Sequence, residues 1–290
     1  VTSGRKGWRD WRRPARCSRW ICWLLGASLA AAQTPDTLHL EPRAAFVEGR
    51  ALDVDPTGRL YVADAARHVV VRLTPEGHVE EELGGPGGAP GRFDTPVAVD
   101  ARAGLSFWVA EAGSRRLQRL TRQGMSLEIA ALPDGVSPIA VRWLGRWLFV
   151  LDVAGGRLWR RGPDGNWQVV GGTGIDEPLQ APVALAVGPG DRLLVADAAR
   201  RVVLAYDRRG TFERIWTPTL PGTPRALAAQ GDTLWMVLDR KLVRYLPDGR
   251  LETVGQLSFD VVGLVWEGRR GWLLSRQRLY RAQLSAPGRR

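Results

Sequence analysis

LYVADAARHVVVRL, residues Leu60 to Leu73, reads as an apolar strand ending in an acid, a short turn and a second apolar strand. The pattern returns as FWVAEAGSRRLQRL from Phe107, LFVLDVAGGRLWRR from Leu148, LLVADAARRVVLAY from Leu193 and, less regularly, LWMVLDRKLVRYL from Leu234. A sixth copy, GWLLSRQRLYRAQL from Gly271, has Ser275 where the acid would stand. The copies recur about every 42 residues, and a strand-rich unit that cannot bury both of its faces alone is stabilised by stacking on its neighbours in a ring.

Each copy sits inside a four-strand unit. In the first, Arg50 to Asp55 is an inner strand turned by PTG, Leu60 to Ala63 the second, Val69 to Leu73 the third, and Val79 to Leu83 the fourth after PEG. The turns TPEG, GPDG, DRRG and LPDG recur between third and fourth strands, with Gly supplying the positive φ at the last position. Four antiparallel strands of this kind make one propeller blade. The expected fold is therefore all-β, a six-bladed β-propeller. Repeats running from about Leu38 to Leu284 leave no room for a second domain, and no long stretch has a helical period.

A Pro and a small residue opening an apolar strand recur in TPVAVD (Thr95 to Asp100), SPIAV (Ser137 to Val141) and APVALAV (Ala181 to Val187), each followed by a second strand ending in Glu111, Asp152 or Asp197. With Asp64 in the first copy and the glycine-rich connectors GGPGGAPGRFDTP from Gly84 and GGTGIDEPLQAP from Gly171, this pattern resembles the NHL repeat, in exported bacterial form. The basic residue five positions after the acid is Arg116 and Arg157 in blades 2 and 3, but Val69 and Val202 in blades 1 and 4.

Blade 6 runs out of chain, with Arg278 to Leu284 as its third strand. An incomplete blade exposes unpaired backbone groups, so Thr37 to Glu41 (TLHLE) is expected to supply the fourth strand and clasp the two ends together.

The net charge of +11 is unevenly placed. Residues 1–32 hold seven basic side chains and one acid, which is +6; the remaining 34 basic and 29 acidic groups give +5, an ordinary excess that argues against nucleic acid as a partner. The basic cluster is followed by WICWLLGASLAAA, Trp20 to Ala32. These 13 residues are too few to span the roughly 30 Å of a bilayer core, and they suit a secretory signal cleaved after Ala32. An uncleaved anchor is the alternative. Cleavage leaves 33–290 as the propeller, periplasmic or extracellular, monomeric and without stable membrane insertion. Cys17 and Cys22 both lie in the signal, so the mature chain would have no disulfide or thiolate metal site.

The acids ending the second strands form a ring of carboxylates. They act either as turn locks, accepting backbone amides of the next turn and pairing with the following Arg, or as parts of a calcium site; no other cofactor is expected. Inner strands line the channel. Aligned on their Pro or Gly start, Asp53, Asp100 and Arg142 share one register in blades 1 to 3, where blades 4 and 5 carry Ala186 and Ala228. Such charges either bridge neighbouring blades or meet a ligand. Arg50 and Arg225 open the inner strands of blades 1 and 5, near the mouth ringed by the long connectors. There they either hold an acidic partner or are solvated.

Catalytic constellations are scarce. Of three histidines, His39 lies in the clasp, His78 in an outer turn and His68 after a second strand, so zinc lacks converging ligands. This counts against likeness to the peptide-amidating lyases that share the repeat. No catalytic or metal-ligating residue is nominated. Two function classes remain: a binding or scaffold module for a protein, peptide or glycan, and a metal-dependent lactonase- or lyase-type channel enzyme using Asp53 and Asp100.

Overall fold

The second strand of each blade is apolar on both sides because both sides are covered. Leu60–Asp64, Ser106–Glu111 and their counterparts are buried along most or all of their length, whereas the outer strand Val79–Gly84 (VEEELG) is largely exposed. A strand packed between two neighbours loses the alternation seen when one face meets water. The computed structural model describes residues 36–172 and 179–285. The expected leader 1–32, with Cys17 and Cys22, lies outside the described residues, as does part of the connector from Gly171.

Among the described residues, twenty-four strands form six four-stranded antiparallel sheets. Five blades are continuous segments: 49–84, 96–131, 138–171, 182–215 and 224–256. Blade 6 combines Gly263–Glu267, Arg270–Leu274 and Arg278–Ser285 with the N-terminal strand Thr37–Ala45 as its outer member. The clasp is thus present and longer than the sequence suggests. Its register runs from Thr37 opposite Ser285 to Pro42 opposite Tyr280, then shifts before Ala45. His39 Nε2 lies 3.0 Å from Ser285 Oγ, and Asp36 ties the strand to Arg269 (2.9 Å) and Arg244 (3.1 Å).

The apolar core consists of six clusters, each shared by two adjacent blades. Tyr61, Val70 and Leu83 of blade 1 meet Val99, Phe107 and Leu120 of blade 2. Leu274 and Leu279 of blade 6 meet Leu60, Val62 and Val71 of blade 1, closing the ring. Glycines in the third-to-fourth-strand turns, Gly77, Gly165, Gly210 and Gly249, have φ between 80° and 87°, as their turn type demands. Gly271 has a different role: a Cβ there would lie 2.1 Å from Trp266, whose ring stacks on Trp235 at 3.9 Å.

Blades 1 to 5 each carry a register shift at the second residue of the inner strand, as between Pro96 and Ala98. Blade 6 has none. Inner-strand residues therefore share a level when they pair with equivalent second-strand partners. Asp53 faces Tyr61, Asp100 faces Trp108, Arg142 faces Phe149, Ala186 faces Leu194 and Ala228 faces Trp235. The sixth member is Val265, opposite Trp272. One level of the channel is charged over blades 1 to 3 and apolar over blades 4 to 6.

Candidate functional site

The carboxylates ending the second strands are structural locks, but their main partners differ from those expected. Asp64 accepts the amides of Val47 (2.9 Å) and Glu48 (3.0 Å), which lie before the inner strand of its own blade and not in the following turn. Asp152 accepts Ser137 N (2.9 Å) and Asp197 accepts Gln180 N (2.7 Å) in the same way. Amides of the following turn contribute at Ala154 and Arg200. Each acid therefore pins the incoming connector to its blade. Glu111 is the most heavily engaged: it accepts Asp94 N, Ser114 Oγ, Arg116 Nε and Gln118 Nε2, all at 2.8–2.9 Å. The expected Arg pairing holds for Glu111 and Arg116. Asp152 instead meets the indole of Trp159 at 3.5 Å, and Arg157 is exposed.

The charged level of the channel joins one blade to the next. Asp53 of blade 1 is buried and accepts Ala101 N of blade 2 at 2.8 Å. Asp100 of blade 2 accepts Trp143 N of blade 3 and is bonded by Arg102 Nε at 3.2 Å. Arg142 of blade 3 reaches back to Val99 O of blade 2 at 3.1 Å and also donates to Val141 O at 2.8 Å. Both carboxylates thus bridge blades, whatever else they touch.

Arg102 was not singled out by sequence. It lies in the turn two residues after Asp100, where a basic side chain reads as solvated, yet it contacts Asp100 and Trp143 O (3.4 Å) and lines the channel. Burial opposes ionisation of Asp100, but Arg102, Arg142 and the Trp143 amide outweigh it and hold its pKa below 3.8. For Asp53 burial prevails, helped by the charge of Asp100, and its pKa is pushed up to about 6 despite Arg142 and Arg102.

That asymmetry gives a pH signature. An unfolded Asp53 titrates near 3.8, so between 3.8 and about 6 the folded chain holds a proton that the unfolded chain releases. Stability from this group rises as pH falls through that window and is flat above and below it. Asp53→Asn keeps an acceptor for Ala101 N–H and removes the buried charge. It is expected to stabilise the protein by up to about 3 kcal/mol at neutral pH, an advantage that vanishes near pH 4, as thermal melts across pH will show. Asp100 acts oppositely: its lowered pKa adds stability that is lost only as pH falls below 3.8 through the folded value.

Two cavities lie along the channel. The larger, about 430 Å³, opens at the face of the first-to-second-strand turns, away from the long connectors. Asp53, Arg102 and Arg142 line one part of it, and Ala186, Leu227, Ala228, Leu264 and Val265 another. The smaller, about 60 Å³, is lined by residues without polar side chains apart from Arg142 and shares Arg142, Leu227 and Leu264 with the larger. Asp53 and Arg142 are therefore brought together, with Asp100 behind them. Arg50 and Arg225 line neither cavity: Arg50 pairs with Glu48, and Arg225 is exposed in another blade.

Asp53 and Asp100 do not fit a metal centre. Both oxygens of Asp100 are taken, two arginines flank the pair, and among the described residues no three of His, Cys, Asp and Glu converge.

Residues 84–96 form the other built feature. Phe93 is fully buried, while residues 86–90 are exposed. Arg116 donates to the carbonyls of Gly88 (2.6 Å) and Arg92 (2.9 Å), Gln118 holds Arg92 O and Gly91 N, and Thr95 N donates to His68 Nδ1 at 3.0 Å.

No family model matches the chain. Human E3 ubiquitin-protein ligase TRIM32 is 27% identical over 126 residues, which is 42% of this chain and 18% of that protein. The chain thus spans about a fifth of the length of this curated relative. The strand order decides the fold. The chain is a six-bladed β-propeller. Solved structures agree on the fold. Virginiamycin B lyase from Staphylococcus aureus, solved with quinupristin, matches at TM-score 0.64 and 19% identity over 82% of this chain and 81% of that one. A gluconolactonase from Xanthomonas campestris matches at TM-score 0.66 and 15% identity over 87% and 95%. Among the described residues no helix of this propeller is long and apolar enough to cross a membrane.

Proposed function

We propose that this propeller is an exported binding or scaffold module for a protein, peptide or glycan, acting through its connector face and channel mouth. The observation that carries the reading is the preorganised connector 84–96, an exposed loop fixed from below by Phe93, Arg116, Gln118 and Glu111. A loop already held in one shape loses little conformational entropy on binding. Export by the N-terminal signal, a monomeric state and independence of cofactors belong to the same proposal.

The second reading, a metal-dependent lactonase- or lyase-type channel enzyme, is favoured by the structural likeness to a virginiamycin B lyase and a gluconolactonase. It has to place a metal where the carboxylates already bond to backbone amides and Arg102.

Peptide and glycan arrays probed with the mature chain test the proposal. Binding should be lost when residues 86–90 are replaced by a Gly-Ser segment while the melting temperature is kept. Unchanged array binding by that variant contradicts the connector face.

A further inference from the structure

The larger cavity lies at the channel end away from the connectors, so its ligand is a separate question from the connector reading. Away from the exposed Glu267 and Arg270, its polar part holds one anion and one cation, Asp53 and Arg142, that lack a hydrogen-bonded ion-pair partner among the described residues. Arg142 donates only to the carbonyls of Val99 and Val141, through Nη1, which leaves Nε and Nη2 without a protein hydrogen bond. Asp53 accepts Ala101 N–H through Oδ2 alone. Arg102, by contrast, is held by Asp100. A buried carboxylate is costly unless paired, and Asp53 and the half-buried Arg142 face one cavity that also carries small apolar side chains, with Glu267 and Arg270 exposed.

We propose that this cavity binds a free α-amino acid with an apolar side chain, its carboxylate on Arg142, its ammonium on Asp53 and its side chain against Ala186, Ala228 and Val265. A volume of about 430 Å³ falls within the range of small-ligand sites. A zwitterion gives both groups the hydrogen-bonded ion partner they lack, whereas a simple anion would be repelled by Asp53 and a simple cation by Arg142 and Arg102. Blades 4 to 6 supply Ala186, Ala228 and Val265 at the level where blades 1 to 3 supply charge, so one end of the ligand meets ions and the other meets apolar side chains.

Calorimetry with three probes of one carbon skeleton tests this: leucine, 4-methylpentanoate, which lacks the ammonium, and 3-methylbutylamine, which lacks the carboxylate. Leucine should bind at least about tenfold tighter than either half. Asp53→Asn should weaken leucine but not 4-methylpentanoate, and Arg142→Met should weaken both. Ala228→Leu, which keeps every charge and fills the apolar wall, should weaken leucine binding with the melting temperature unchanged. No leucine binding, equal or tighter binding of either half, or unchanged leucine binding in folded Arg142→Met and Ala228→Leu overturns the proposal. Because no connector residue is altered, the result does not depend on the outcome of the array experiment.

Discussion

Glu111→Ala is expected to lower the stability of the propeller by about 3–5 kcal/mol, the cost of leaving a buried cation and several donors without their acceptor. Glu111 is fully buried, and Arg116 beside it is 13% exposed. Its loss removes the shared acceptor of Asp94 N–H, Ser114 Oγ, Gln118 Nε2 and Arg116 Nε, and leaves the Arg116 cation without its carboxylate. Arg116 is also the side chain that fixes the carbonyls of Gly88 and Arg92, so connector 84–96 loosens with it. Glu111→Gln retains an acceptor of the same shape and should recover part of the loss. Urea unfolding of the three proteins measures both effects. A Glu111→Ala protein within about 1 kcal/mol of wild type would show that the acid is not the lock of its blade.

Removal of Thr37–Ala45 should be more damaging. The deletion exposes the edge of Arg278–Ser285 along a ladder that runs from Thr37 opposite Ser285 to Pro42 opposite Tyr280. It also strips Leu38 and Leu40 from the cluster holding Trp235 and Trp266, and cuts the Asp36-anchored ties to Arg244 and Arg269 at the strand's start. Loss of more than about 5 kcal/mol is expected, which approaches the whole stability of an ordinary domain, and any folded remainder should self-associate through the open edge. Circular dichroism melts and size-exclusion chromatography report the two outcomes. A truncated chain that melts within a few degrees of wild type as a monomer would mean that the ring closes without its clasp.

The fold was legible because the forces that make it are local and repeated. Alternating turns with glycine at fixed positions and apolar second strands ending in an acid mark the blades without long-range information, and the missing strand of blade 6 follows from counting. The site was less legible, for reasons tied to particular residues. Alignment on the Pro or Gly start gives five members of the channel level; the sixth, Val265, depends on a register shift that blade 6 lacks and that no single residue announces. His68, Arg115 and Arg201 adopt positive φ (57°, 47° and 54°) in the turns before third strands, and their carbonyls accept the amides of Gly85, Leu132 and Leu220. Glycine marks that turn only in blade 3, at Gly156, so composition does not reveal it. Arg102 looked like a surface arginine because its role depends on the next blade. Asp53, Asp100 and Arg142 could be placed at one level from sequence, but whether they meet a ligand or a neighbouring blade depends on which amides lie opposite.

That last point bears most directly on function, since the same carboxylates are either blade bridges or metal ligands. Thermal melts of wild type and Asp53→Asn, across pH and with and without calcium, separate the two. The bridge account predicts a higher melting temperature for Asp53→Asn near neutral pH, a difference that closes toward pH 4, and no response of either protein to calcium or chelator. A lower melting temperature for Asp53→Asn, together with loss of a calcium stabilisation that wild type shows, would contradict it.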